Sequence, residues 1–158
     1  MKQVEITVKM RINNPFSRRN LLILFPLILV MLFDLIFTLV GQPEIYWEKY
    51  TFVWEGSPLG HSLLSLHPGY FILFFIIYLL FVLFLVTNLK RPLNIMVAIG
   101  FFLGHSWGSA SWVPEIFVFL PSLGLYSNWY YTIFYFIFLA IISGFCINKW
   151  LIKYEKNS

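Results

Sequence analysis

Four apolar stretches, at about 21–41, 69–87, 93–113 and 129–147, leave this chain few ways to fold. Each is close to the ~20 residues that an α-helix needs to cross ~30 Å of hydrocarbon. In lipid the backbone N–H and C=O groups must be satisfied within the segment, so runs of this length point to helices. Only 11% of the residues are charged and 59% are hydrophobic, against about 25% charged residues in an average soluble domain. The expected fold class is therefore all-α: an integral membrane protein built as a four-transmembrane-helix bundle. The expected division is a cytoplasmic N-terminal segment 1–19, one membrane domain 20–152 and a cytoplasmic tail 153–158. The first run continues to Val40 with no small-residue cleavage site after it, and is expected to be a retained helix.

Basic residues give the bundle a direction. Lys2, Lys9, Arg11, Arg18 and Arg19 precede the first run, Lys90 and Arg91 sit between the second and third, and Lys149, Lys153 and Lys156 follow the fourth. Four crossings put these ten of the eleven basic residues on one side, which the positive-inside rule makes cytoplasmic. Lys49 alone falls on the outer side, beside Glu44, Glu48 and Glu55. The expected location is the cell membrane, multi-pass, with both termini inside. The formal charge of +4 flanks apolar runs and forms no basic groove, which argues against nucleic acid as a partner. Tyr46, Trp47, Tyr50 and Trp54 follow the first run, and rings of this kind favour the headgroup region. Phe and Leu dominate residues 71–86, which read as lipid-facing helix.

The N-terminal segment has a different period. Val4, Ile6, Val8, Met10 and Ile12 alternate with Glu5, Thr7, Lys9 and Arg11, a β-like pattern ended by Asn13, Asn14 and Pro15. A lone strand is not stable. It either pairs with another chain or lies on the membrane with its apolar side chains down. Cys146, the single cysteine, lies in an apolar run and reads as a small core residue.

Lipid makes polar exceptions informative, since a charged group near the bilayer centre costs roughly 2.5–3.5 kcal/mol on insertion scales. Asp34 is such a group, and Thr38 and Gln42 continue from it at steps of four as one polar stripe. Gly100, Gly104 and Gly108 repeat every four residues in the third run, a small-residue groove suited to close helix packing, or glycine zipper. His105, Ser109 and Trp112 run beside them. Counting ~1.5 Å per residue puts His105 near mid-membrane and Asp34 at similar or slightly outer depth, so an Asp34–His105 pair across two helices is geometrically possible. Such a pair would satisfy two buried polar groups and fix the imidazole tautomer. The candidates for catalysis are Asp34, His105 and Ser109. The match of residues 104–108 to G-x-S-x-G is discounted, because a nucleophile elbow requires a strand before the serine.

All three histidines, with Asp34, Glu55 and Glu115, fall toward the outer half. A candidate metal set is His61, His67 and His105 with Asp34, Glu55 or Glu115, and its cofactor would be a divalent metal or haem. No H-x-x-x-H, H-E-x-x-H or cysteine pair supports it. Residues 59–66 are expected to form a short interfacial helix or re-entrant segment, and Glu115 to Leu120 an interfacial helix or lid. Whether the chain is an enzyme is not decided at this level. The leading expectation is a binding or assembly subunit of a membrane complex, with the lipid bilayer and a protein partner or second copy as its neighbours. The alternatives are an intramembrane metal-dependent enzyme acting from the outer face on a lipid or membrane-bound substrate, and a small transporter.

Overall fold

The computed structural model describes residues 18–90, 92–116 and 127–155, and every regular element among them is helical. Four long helices are present, α1 (Arg18–Val40), α4 (Pro68–Asn88), α5 (Leu93–Ile116) and α6 (Ser127–Glu155), and two short ones, α2 (Glu44–Glu48) and α3 (Pro58–Leu66), lie in the connection from α1 to α4. The alternating segment 4–12 and the stretch 117–120 lie outside the described residues. Two helical stretches, Pro68–Asn88 and Tyr130–Lys149, are long and apolar enough to cross a membrane. α1 carries a shorter apolar stretch, Leu24–Val40. α5 interrupts its apolar run with small and polar residues at 104–106 and 108–111.

α1 and α5 are the central helices. Each touches α4 and α6, whereas α4 and α6 do not touch each other among the described residues. Two three-helix cores result. Leu27 and Met31 of α1 pack with Phe75 and Val82 of α4, against Ala98, Phe101 and Phe102 of α5. Val30 of α1 packs with Ala110 and Val113 of α5 and with Tyr135 and Leu139 of α6. The two helices with polar interruptions occupy the centre, where their buried polar side chains find hydrogen-bond partners.

Residues 71–86, expected to face lipid, turn one stripe inward. Phe71, Phe75 and Val82 are buried, and Tyr78 between them is partly buried, so positions at steps of four, three and four form an inward stripe. The sequence concealed it because the opposite face is equally apolar: Leu73, Ile77, Leu80 and Phe84 are all exposed.

The connection from α1 to α4 is a folded cap. Gln42, at the end of α1, is buried, and its amide pairs with the backbone of Trp54 as another strand would: Nε2 donates to Trp54 O at 2.9 Å and Oε1 accepts from Trp54 N at 2.9 Å. Nε2 also donates to Thr38 O at 2.9 Å. Tyr46, expected at the headgroups, is instead fully buried against Leu64 and Phe71, and its hydroxyl donates to Leu64 O at 3.2 Å. Burial, and to a lesser degree the Tyr50 phenol, pushes the Tyr46 hydroxyl's pKa up. Ser57 caps α3 by accepting from Gly60 N, with Pro58 at the first helical position, and His67 caps α4 by accepting from Gly69 N on Nδ1, with Pro68 following. Gln42→Ala removes three hydrogen bonds and is expected to loosen the cap by about 2 kcal/mol. Faster hydrogen exchange at the Trp54 amide, with α4 amides unchanged, is the readout.

The same end of α1 makes a very close approach to α5. A Cβ on Gly41 would overlap the ring of Trp112, so the turn after α1 fits α5 only as glycine. Gly41→Ala is expected to cost about 1–3 kcal/mol of stability in detergent. Combining it with Trp112→Leu should recover part of that loss.

Candidate functional site

Asp34 lies six residues before the end of α1, and His105 lies about midway along α5. Their side chains meet, with His105 Nδ1 at 2.6 Å from Asp34 Oδ2. The pair is largely enclosed, at 13% side-chain exposure for the histidine and 18% for the aspartate. Gly108, one turn beyond His105, makes room for the carboxylate: a Cβ there would stand 2.7 Å from Oδ1 and 3.0 Å from Oδ2. The other imidazole nitrogen, Nε2, faces the Tyr78 hydroxyl of α4 at 3.3 Å. Rings of Phe75, Tyr78 and Phe101 surround the imidazole at centroid distances of 6.0, 5.6 and 6.4 Å. A proton held between Nδ1 and the carboxylate leaves the Nε2 lone pair to accept from Tyr78. One polar chain thus ties α1, α5 and α4 inside the first core.

A second polar bolt sits in the other core. Ser109 Oγ donates to His105 O at 2.6 Å, and the Tyr135 hydroxyl of α6 lies 2.6 Å from the same Oγ. A hydroxyl has one proton, so with Ser109 donating to its own helix, Tyr135 donates to Ser109. The neighbouring Ser106 likewise donates to Phe102 O. Neither serine is activated by the imidazole, although Ser109 follows His105 by one turn. Residues 104–108 are continuous helix, without the sharp strand-to-helix turn of a nucleophile elbow.

The other candidates are dispersed. Among the described residues no three His, Cys, Asp or Glu side chains come together as a metal centre. His67 Nδ1 is occupied by the Gly69 amide, and its ring packs edge-on against Tyr50. His61 is exposed on α3, Glu55 accepts from Ser57 N within its own turn, and Glu115 is exposed on the last turn of α5. Of the metal candidates only Asp34 and His105 meet. Of the three glycines, Gly108 alone makes a close contact. Gly100 and Gly104 are exposed and have no atom of the described residues near the place of a Cβ.

Tyr78, Tyr135 and Gly108's contact with Asp34 complete the site and were not singled out from the sequence. Tyr78 had a signal, being the one side chain with a polar atom in residues 71–86. What the arrangement offers chemically is an oriented imidazole with a carboxylate behind it, enclosed by aromatic rings and closed on both nitrogens. No protein-family model, no curated protein and no solved structure matches this chain.

Proposed function

We propose that this chain is a four-span membrane protein with both termini cytoplasmic, serving as a binding or assembly subunit of a membrane complex. Four spans account for the arrangement of the long helices. α4 and α6 turn large apolar side chains outward, and Thr38 of α1 and Ser106 and Ser109 of α5 are buried. The orientation rests on the ten basic residues that share one side of such a bundle.

The observation that carries the subunit reading is the closure of the polar network. Asp34, His105 and Tyr78 engage one another, Ser109 engages Tyr135, and Gln42 engages the cap. Side chains paired in this way hold helices in register, and intramembrane hydrogen bonds of this kind act as glue between helices. The outward face of Gly100 and Gly104 fits the same reading, because it leaves the flattest part of α5 to a helix of a partner or a second copy. The metal-enzyme alternative needs a third ligand where the described residues bring two candidates together.

Cross-linking in native membranes tests the proposal. A discrete band above the monomer is expected, and Gly104→Ile should weaken it while leaving the purified protein's helicity and melting unchanged. A protein that stays monomeric in native membranes at every cross-linker length sinks the subunit reading.

A further inference from the structure

We infer that the cap formed by α2, α3 and their connection is a membrane-surface element, whose partner is the zwitterionic headgroup layer of the outer leaflet and not the aqueous phase. The inference rests on the four-span reading above.

The first ground is that the cap presents large apolar side chains from a fixed backbone. Trp54 is 58% exposed, yet both its N–H and its C=O are held by Gln42. Trp47 is 51% exposed beside the fully buried Tyr46. Leu59 and Leu66 project from α3, whose Gly60 and Leu64 face inward. Loose-loop exposure does not account for these side chains, because the backbone that carries them is held by hydrogen bonds and by the packing of Tyr46 and Leu64.

The second ground is continuity. Tyr70 opens the exposed stripe of α4 that runs through Leu73, Ile77, Leu80 and Phe84. In a spanning α4 that stripe contacts acyl chains, and its first member adjoins the cap at His67, whose ring packs against both Tyr50 and Tyr70. Water-exposed apolar residues at Leu59 and Leu66 would sit directly beside a lipid-covered face. Tryptophan and tyrosine suit the boundary, having an apolar body and a polar edge.

Charge selects the lipid. Glu44 and Glu48 are exposed and Glu55 is partly so, and the one basic side chain among them, Lys49, lies over the Phe52 ring at 5.5 Å. An acidic rim is repelled by anionic headgroups and is attracted to the cationic ends of choline or ethanolamine headgroups.

Spin labels on the full-length chain test this in phosphatidylcholine nanodiscs. In a Cys146→Ser background, the single variants Leu59→Cys, Leu66→Cys, Trp47→Cys and Ile77→Cys are labelled, and collisions with oxygen and with a water-soluble nickel chelate are compared. The expected result is a shallow membrane position at 47, 59 and 66 and a deep one at 77. Nickel-accessible labels at the three cap sites with a deep 77 overturn the inference and leave the spanning reading intact. A nickel-accessible 77 overturns both. Cap labels shielded from both reagents mean that protein covers the face, which also overturns it. Admixture of phosphatidylglycerol should not draw the cap deeper, and deeper insertion would refute the choice of zwitterionic lipid. For any label that prevents folding, quenching of native tryptophan by brominated phosphatidylcholine gives the same answer: quenching should fall in Trp47→Phe and in Trp54→Phe if those rings lie among the headgroups, and unchanged quenching in both counts against it.

Discussion

Asp34→Ala and His105→Ala are each expected to lower the unfolding free energy by about 2–3 kcal/mol, and the double variant by about 1–2 kcal/mol less than their sum. Removing one member of an enclosed pair leaves the other without its partner. In a fully buried site that costs roughly 3–5 kcal/mol, and the residual exposure of 13% and 18% argues for a smaller figure here. Removing both deletes the polar requirement along with the contact, which produces the non-additivity. Asp34→Asn separates charge from hydrogen bonding, since the amide oxygen still accepts from Nδ1, and it should cost less than Asp34→Ala. Tyr78→Phe should cost no more than about 1 kcal/mol, because its contact with Nε2 is long at 3.3 Å. Detergent unfolding curves followed by circular dichroism measure all five. Strictly additive losses for Asp34→Ala and His105→Ala would show that the two groups do not work as a pair.

The pair also shows what the sequence makes legible and what it hides. Helix rise is constant, so counting ~1.5 Å per residue from the ends of two runs placed Asp34 and His105 at comparable depth. Depth says nothing of rotation, and rotation decides contact. The inward face of α4 is not legible, because the helix is apolar all round and its only polar mark in residues 71–86 is the Tyr78 hydroxyl. Ser109 follows His105 by one turn, yet the two serve different neighbours: His105 meets α4, and Ser109 meets α6. The long helices lie close to the apolar runs, with α6 continuing eight residues past Ile147 to Glu155. The cap was the least legible part. Residue type assigned Tyr46 to the headgroups, whereas the chain reversal after Pro43 buries that ring under Leu64. The described residues leave the candidate metal set dispersed for a related reason. Loop histidines have no fixed geometry until the loop folds, and here folding turns His67 into a helix cap.

Gly108→Ala is expected to be nearly as damaging as loss of the pair itself, at about 2–3 kcal/mol, while Gly104→Ala is expected to be neutral or stabilising by up to about 1 kcal/mol. The two glycines stand one turn apart on the same helix and are indistinguishable in a small-residue repeat. Their surroundings differ completely. A methyl group on Gly108 meets both carboxylate oxygens of Asp34 at 3.0 Å or less, and the carboxylate cannot retreat without abandoning His105. A methyl group on Gly104 meets nothing among the described residues, so in the isolated chain only the higher helix propensity of alanine acts. The comparison therefore separates the two uses of one motif. If Gly108→Ala melts with wild-type stability, Asp34 is not held against α5 as described. If Gly104→Ala destabilises the purified monomer, its face is already packed within the chain and is not open to a partner. Gly108→Ala combined with Asp34→Ala provides the internal control: with the carboxylate gone the methyl group has space, and the double variant should be no less stable than Asp34→Ala alone.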